Sequence, residues 1–163
     1  MSANKPTHTH FYRARCSWKG TTAVGYEKYD RTHTVSAPPA SAALSLSSDP
    51  AFRGDPTRLS PEQLVVMAAS SCQLLSFLAI AARARVEILE YEDDAEAEMP
   101  ESDLPVRLTV IRLKPRIVAG PGASEERVRR LVELAHQECY IANSLKTEVI
   151  VEPVIERPMG TGV

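Results

Sequence analysis

The sequence predicts an α+β fold, short antiparallel strands packed around two helices, and three observations predict it. An uncharged run from Leu64 to Ala82 follows good helix-start residues. Segments on both sides of it alternate bulky and polar side chains with the period of two that half-buried strands show. A later segment, SEERVRRLVELAHQECY, repeats apolar residues at helical spacing. With 163 residues, a net charge of -2 and 44% hydrophobic residues, the chain suits one globular domain over 1–163. That balance calls for neither nucleic acid nor a membrane surface as partner. The stretch MSANKPTHTHFYRAR has no apolar h-region, so no secretory signal is read and a cytoplasmic address is expected.

In chain order, residues 1–8 read as a loose tail, and residues 9–35 read as an antiparallel hairpin turning at Lys19-Gly20. Residues 36–59 are rich in Pro, Ala and Ser, with a short strand at Ala42 to Leu46 and then SSDPAFRGDPTRLS. A connection of that length carrying Phe52, Arg53 and Arg58 points to function. Ser60, Pro61 and Gln63 form a capping-box signature that opens the first helix. Its apolar side chains go all the way round, the pattern of a helix buried on every side, and a partner subunit is the expected cover. Three serines and Gln73 inside the run argue against a membrane span.

Val86 to Glu98 reads as a strand with one wet face, and Val106 to Val118 as the next, with Pro115 implying an edge position or a bulge. The second helix begins near Ser124 and buries Val128, Leu131, Val132, Ala135 and Cys139 on one face. Asn143 can end it in the left-handed conformation, Leu145 to Val154 is the closing strand, and 157–163 is a second loose tail.

Cys16, Cys72 and Cys139 lie far apart in sequence, so in a reducing compartment they are core filler or chemistry rather than a disulfide framework. Cys16, beside Trp18 on a strand, reads as structural. Cys72 and Cys139 each sit on the buried face of a helix with polar neighbours that packing does not require, a placement that permits a redox pair. Cys139 falls in the last turn of its helix, where the dipole disfavours a thiolate; Cys72 falls mid-helix, where it needs a cation from elsewhere. Arg31, Arg53 and Arg58 are the candidates. Glu62 stands three turns before Cys72, about 15 Å along one helix, so it either complements the dipole or orients that arginine at a site completed across a dimer. His136 and Cys139 alone make a weak metal signal, and no metal or cofactor is expected.

The segments SPEQLVVMAASSCQLLSFLAIAAR, VEILEYEDDAEAEM and VRRLVELAHQECYIANSLKTEVIVEP resemble the OsmC/Ohr family of thiol-dependent organic hydroperoxide reductases. The resemblance implies an intertwined homodimer with two long central helices packed between sheets of both chains. It implies that Cys72 attacks the peroxide and that Cys139 resolves the sulfenic acid to a disulfide, which a small dithiol or thioredoxin-like reductant reopens. Glu62 matches the acid that pairs with the activating arginine, for which Arg31 in YDRTHTV is first and Arg53 second. Tyr140 stands where the better-known branches have proline after the second cysteine, and SSDPAFRGDPTRL has no clear counterpart in them, which suggests a third branch. An apolar pocket from Phe52, Phe77, Leu78 and Tyr140 would favour bulky organic hydroperoxides. The alternatives are a non-catalytic dimer of the same fold that binds a small apolar or electrophilic ligand, and a general disulfide oxidoreductase, against which the lack of a Cys-x-x-Cys argues.

Overall fold

A computed structural model describes residues 8–158. The expected loose tails, 1–8 and 157–163, fall almost wholly outside the described residues. The chain divides between Pro61 and Glu62 into two compact units.

In the N-terminal unit, β1 (Arg15–Ser17), β2 (His33–Ser36) and β3 (Ala43–Leu46) form an antiparallel sheet in that order. Cys16 lies opposite Val35, and Val35 opposite Leu44. The expected hairpin exists only at its ends, because the chain between β1 and β2 winds into turns instead of continuing a strand. Gly25 sits within these turns: at φ +88° it takes the left-handed backbone that side chains resist. Its carbonyl accepts the N–H groups of Lys28 and Tyr29 at 3.1 and 3.2 Å, and its own N–H donates to Thr22 O at 3.0 Å. The strand expected at Ala42 to Leu46 is β3. After it comes a 3-10 turn, Pro50–Phe52, capped by Asp49, whose Oδ1 accepts from Ala51 N at 2.7 Å.

The second unit is built on α1 (Pro61–Arg83), which starts directly after Ser60 as the capping signature predicts. One stripe, Ala69, Gln73, Phe77, Ile80 and Ala81, is buried. Met67, Leu75 and Leu78 are 51%, 64% and 40% exposed, so within one chain the helix is not buried on every side as expected. By length and composition α1 could also cross a bilayer, at mean hydropathy 2.0. It ends in a Schellman turn: Val86 N–H donates to Ala81 O at 2.9 Å, Arg85 N–H to Ala82 O at 3.1 Å, and Arg85 is left-handed at φ 55°.

The expected long strands are each cut in two. β4 (Ile88–Asp93), β7 (Pro115–Ala119) and β9 (Val154–Glu156) form one three-stranded sheet; β5 (Glu96–Glu98), β6 (Val110–Leu113) and β8 (Glu148–Val151) form another. The same three chain segments therefore pass through both sheets, antiparallel for the first pair and parallel for the second. Pro115 corrects its expectation: it is fully buried and opens the central strand β7, opposite Asp93. The crossing explains it, since the neighbouring Lys114 N–H bonds Asp93 Oδ1 at 2.7 Å rather than a strand, and a first-residue proline breaks no ladder.

In α2 (Glu125–Gln137), Ser124 Oγ accepts from Arg127 N at 3.3 Å as N-cap, and Val128, Leu131, Val132 and Ala135 are buried as predicted. The helix stops before Cys139, and a separate short helix α3 (Tyr140–Ser144) follows. Asn143 does not end α2 in a left-handed turn; it lies inside α3 and its Nδ2 donates to Gln137 O at 2.9 Å, answering a carbonyl at the end of α2. The core joins Phe77, Ile80 and Ala81 of α1 to Ile117 of β7 and to Val128, Leu131 and Val132 of α2. A smaller cluster joins Ala69 to Ile111 and Leu113 of β6.

Candidate active site

Cys72 sits on the second unit's α1, one residue before the buried stripe position Gln73, and is half-buried. It opens onto a cavity of about 430 Å³ lined by Leu75, Ser76, Ala79, Arg83, Glu138 and Tyr140 among others. Leu75, Ser76, Ala79 and Arg83 stand three, four, seven and eleven residues after Cys72, so one face of α1 makes that wall. Arg83 and Glu138 were not among the sequence candidates, although the spacing from Cys72 to Arg83 was a readable signal. At 1.5 Å per residue Arg83 lies about 16 Å down the helix from the sulfur, outside contact.

Cys139 is 1% exposed and occupies the N-cap position of α3, not the last turn of α2. It therefore lies just past the end of α2 rather than in its last turn, and before a helix of little more than one turn. Burial pushes the Cys139 thiol up, the backbone N–H groups of Ala142 and Ile141 pull it down, and the adjacent Cys72 thiol pushes it up further. The two thiols are thus close enough to influence each other, one open to a cavity and one buried, and both are free. Tyr91 belongs to the same interior: its ring lies 5.9 Å from that of Phe77, and burial, Asp93 and Cys139 hold its hydroxyl well above the usual phenol range. Gln73 is fully buried and donates through Nε2 to Val132 O at 3.2 Å.

Glu62 lies in the first turn of α1 with one carboxylate oxygen buried and no hydrogen-bond partner for it among the described residues. Of the expected pocket residues, Tyr140 lines the Cys72 cavity. Leu78 is exposed on α1 and Phe77 is fully buried in the core, packed rather than presented to a cavity. Its position on the inner stripe, four residues after Gln73, is the reason.

Arg31, Arg53 and Phe52 belong to the N-terminal unit. Arg31 lies under two tyrosine rings, 4.0 Å from the centroid of Tyr29 and 4.8 Å from that of Tyr26. Its Nη1 donates to Tyr29 O at 3.0 Å and its Nη2 to Tyr26 O at 2.8 Å. Arg31 and Phe52 line one cavity of about 500 Å³. Arg53 pairs instead with Glu27 at 2.5 Å, and Arg58 with Asp55 at 3.2 Å. Cys16, read as structural, is exposed on β1 and lines the same cavity as Arg31. Among the described residues no cluster of His, Cys, Asp or Glu has the makings of a metal site.

The architecture and the paired sulfurs define an α+β protein whose candidate chemistry is carried by two neighbouring thiols, one on α1 and one between α2 and α3. Comparison with known proteins gives the family. The model of the OsmC-like protein family matches residues 54–154, and the chain belongs to that family. An OsmC-like protein of unknown function from Vibrio cholerae is similar in structure, with a TM-score of 0.80 and 28% identity over 90% of this chain and 100% of that one. An organic hydroperoxide resistance protein from Legionella pneumophila matches with a TM-score of 0.69 and 16% identity over 92% and 99% of the two chains. One from Elizabethkingia anophelis matches with 0.69 and 17% over 92% and 98%. These last two likenesses concern the fold. No curated protein matches the sequence.

Proposed function

We propose that the protein is a cysteine peroxidase that reduces organic hydroperoxides to alcohols. The observation that carries this reading is the pairing of a cavity-facing Cys72 with a buried, adjacent Cys139. The Cys72 thiolate attacks the terminal peroxide oxygen, the O–O bond breaks, and the departing alkoxide takes a proton to become the alcohol. Cys72 is left as a sulfenic acid, oxidised by two electrons. The Cys139 sulfur then attacks the Cys72 sulfur, hydroxide leaves and is protonated to water, and a disulfide remains. A dithiol reductant reopens it by two thiol-disulfide exchanges and is itself oxidised to a disulfide.

In this reading Arg31 is the cation that keeps Cys72 ionised, with Arg53 second, and Glu62 orients it, in a homodimer. The exposed apolar face of α1, with Met67, Leu75 and Leu78, is what a second subunit would cover. Tyr140 and Leu75 beside Cys72 favour an organic peroxide over hydrogen peroxide. The test is dithiol-dependent consumption of cumene hydroperoxide. Cys72→Ser and Cys139→Ser should each abolish turnover, and full activity in either variant would remove the mechanism.

A further inference from the structure

The Arg31 cavity in the N-terminal unit has walls that are fixed before any ligand arrives. Trp18 donates its indole N–H to Asp30 O at 2.7 Å and stands edge-on to Tyr29 at 6.4 Å, and Tyr29 stands at 6.3 Å from Tyr26. Phe52 completes the aromatic lining, and about 500 Å³ lies within the range of small-molecule sites.

The charge is one-sided. Arg31 lines the cavity, with His33 beside it, and among the described residues no Asp or Glu does. Arg31 is in no ion pair among the described residues, while the nearby acids are committed elsewhere. Glu27 holds Arg53, Asp49 caps Ala51, Asp55 holds Thr57 and Arg58, and Asp30 accepts from Thr32 N at 2.8 Å. Two of the five guanidinium N–H groups are spent on the carbonyls of Tyr26 and Tyr29. Arg31 O accepts from His33 Nδ1 at 2.9 Å, which fixes that ring as a further polar edge of the cavity. A half-buried guanidinium without a counter-ion favours an anion, and a planar fork favours a carboxylate.

We propose that this cavity is a binding site for a small aromatic carboxylate, its carboxylate on Arg31 and its ring among Trp18, Tyr26 and Tyr29. The site needs no peroxide turnover, but it rests on the same Arg31 that the peroxidase reading assigns to Cys72, so a bound carboxylate and the Cys72 thiolate are alternative partners of one guanidinium.

Trp18 is the chain's only tryptophan, so its emission reads the site directly. The probe is 3-phenylpropionate, titrated into the full-length protein beside 3-phenylpropanamide, which keeps the ring without the charge, and hexanoate, which keeps the charge without the ring. The acid should change Trp18 emission saturably with a Kd of about 1 mM or below, and the amide and hexanoate should each bind about tenfold or more weakly. Arg31→Gln should weaken the acid about tenfold or more and leave the amide unchanged, and Arg31→Lys should recover part of the loss. Cys72→Ser should bind the acid as the native protein does, so failure of the peroxidase reading and failure of this one are separable. No saturable response to the acid, or equal affinity for acid and amide in the native protein, overturns the proposal. Equal affinity for hexanoate overturns its aromatic half.

Discussion

Gly54→Ala is a severe test of how the loop before α1 is closed. A Cβ built on Gly54 would stand 1.5 Å from the Ser48 carbonyl oxygen and 2.2 Å from its carbon. Both are backbone atoms, so no rotamer change relieves the collision and the loop must open. Opening puts four hydrogen bonds at risk: Gly54 N–H to Asp49 O at 3.0 Å, Arg53 N–H to Pro50 O at 3.0 Å, Phe52 N–H to Asp49 O at 2.9 Å, and Ser48 Oγ to Phe52 O at 3.2 Å. At about 0.5–1.5 kcal/mol each they amount to roughly 2–6 kcal/mol if all are lost. The entropy that alanine removes from the unfolded chain returns about 0.4–1 kcal/mol. The net expectation is a loss of about 1–5.6 kcal/mol. Urea unfolding followed by Trp18 emission measures it, because that tryptophan lies in the same unit as Gly54. A loss below about 0.5 kcal/mol, or a gain, would refute the reasoning.

Four further outcomes are expected. Phe77→Ala, at a fully buried side chain packed against Tyr91, should cost about 3–5 kcal/mol by urea denaturation, and a cost near that of a surface substitution would contradict the core assignment. Arg85→Gly, at the left-handed end of α1, should raise stability by about 1 kcal/mol, since glycine takes that backbone without the side-chain penalty; a decrease would show that the arginine side chain matters more than its φ. Asp30 and Asp55 are held below their ordinary value of 3.8 by the hydrogen bonds of Thr32 and Thr57, so their contribution is present above pH 4 or so and lost as pH falls through their lowered values. Acid unfolding followed by Trp18 emission should be less steep in Asp55→Asn, and an unchanged acid limb would argue against that linkage. Finally, iodoacetamide should label Cys72 about a hundredfold faster than Cys139, because the latter is 1% exposed and its thiol is pushed up by burial; comparable rates, read by peptide mass, would place Cys139 at the surface.

Much of this fold is legible in the residues because pattern and packing agree. Ser60-Pro61 marks the start of α1, and Val128, Leu131, Val132 and Ala135 mark the buried face of α2. The break before Cys139 is not legible: the apolar spacing runs on through it, and no glycine or proline marks Glu138, where the backbone leaves the helix. That break puts Cys139 between the two helices rather than in the last turn of one, so the omission matters to where the second thiol sits. The strand divisions at Lys114 and before Val154 are hidden for a related reason, since alternation continues while the partner sheet changes. The aromatic cavity is hidden because Trp18, Tyr26 and Tyr29 fit a strand-like alternation; Gly25 was the available sign of a turn instead. Arg83 is hidden because it falls just past the uncharged run from Leu64 to Ala82, although it follows Cys72 on the same helix face.

The central claim is that Cys72 and Cys139 act as one redox unit. Its most direct test is the mass of the fully reduced protein after one equivalent of cumene hydroperoxide without reductant, followed by peptide mapping under non-reducing conditions. The account predicts the loss of two hydrogens and a linked peptide joining Cys72 to Cys139. An unchanged mass, or a link through Cys16, would contradict it.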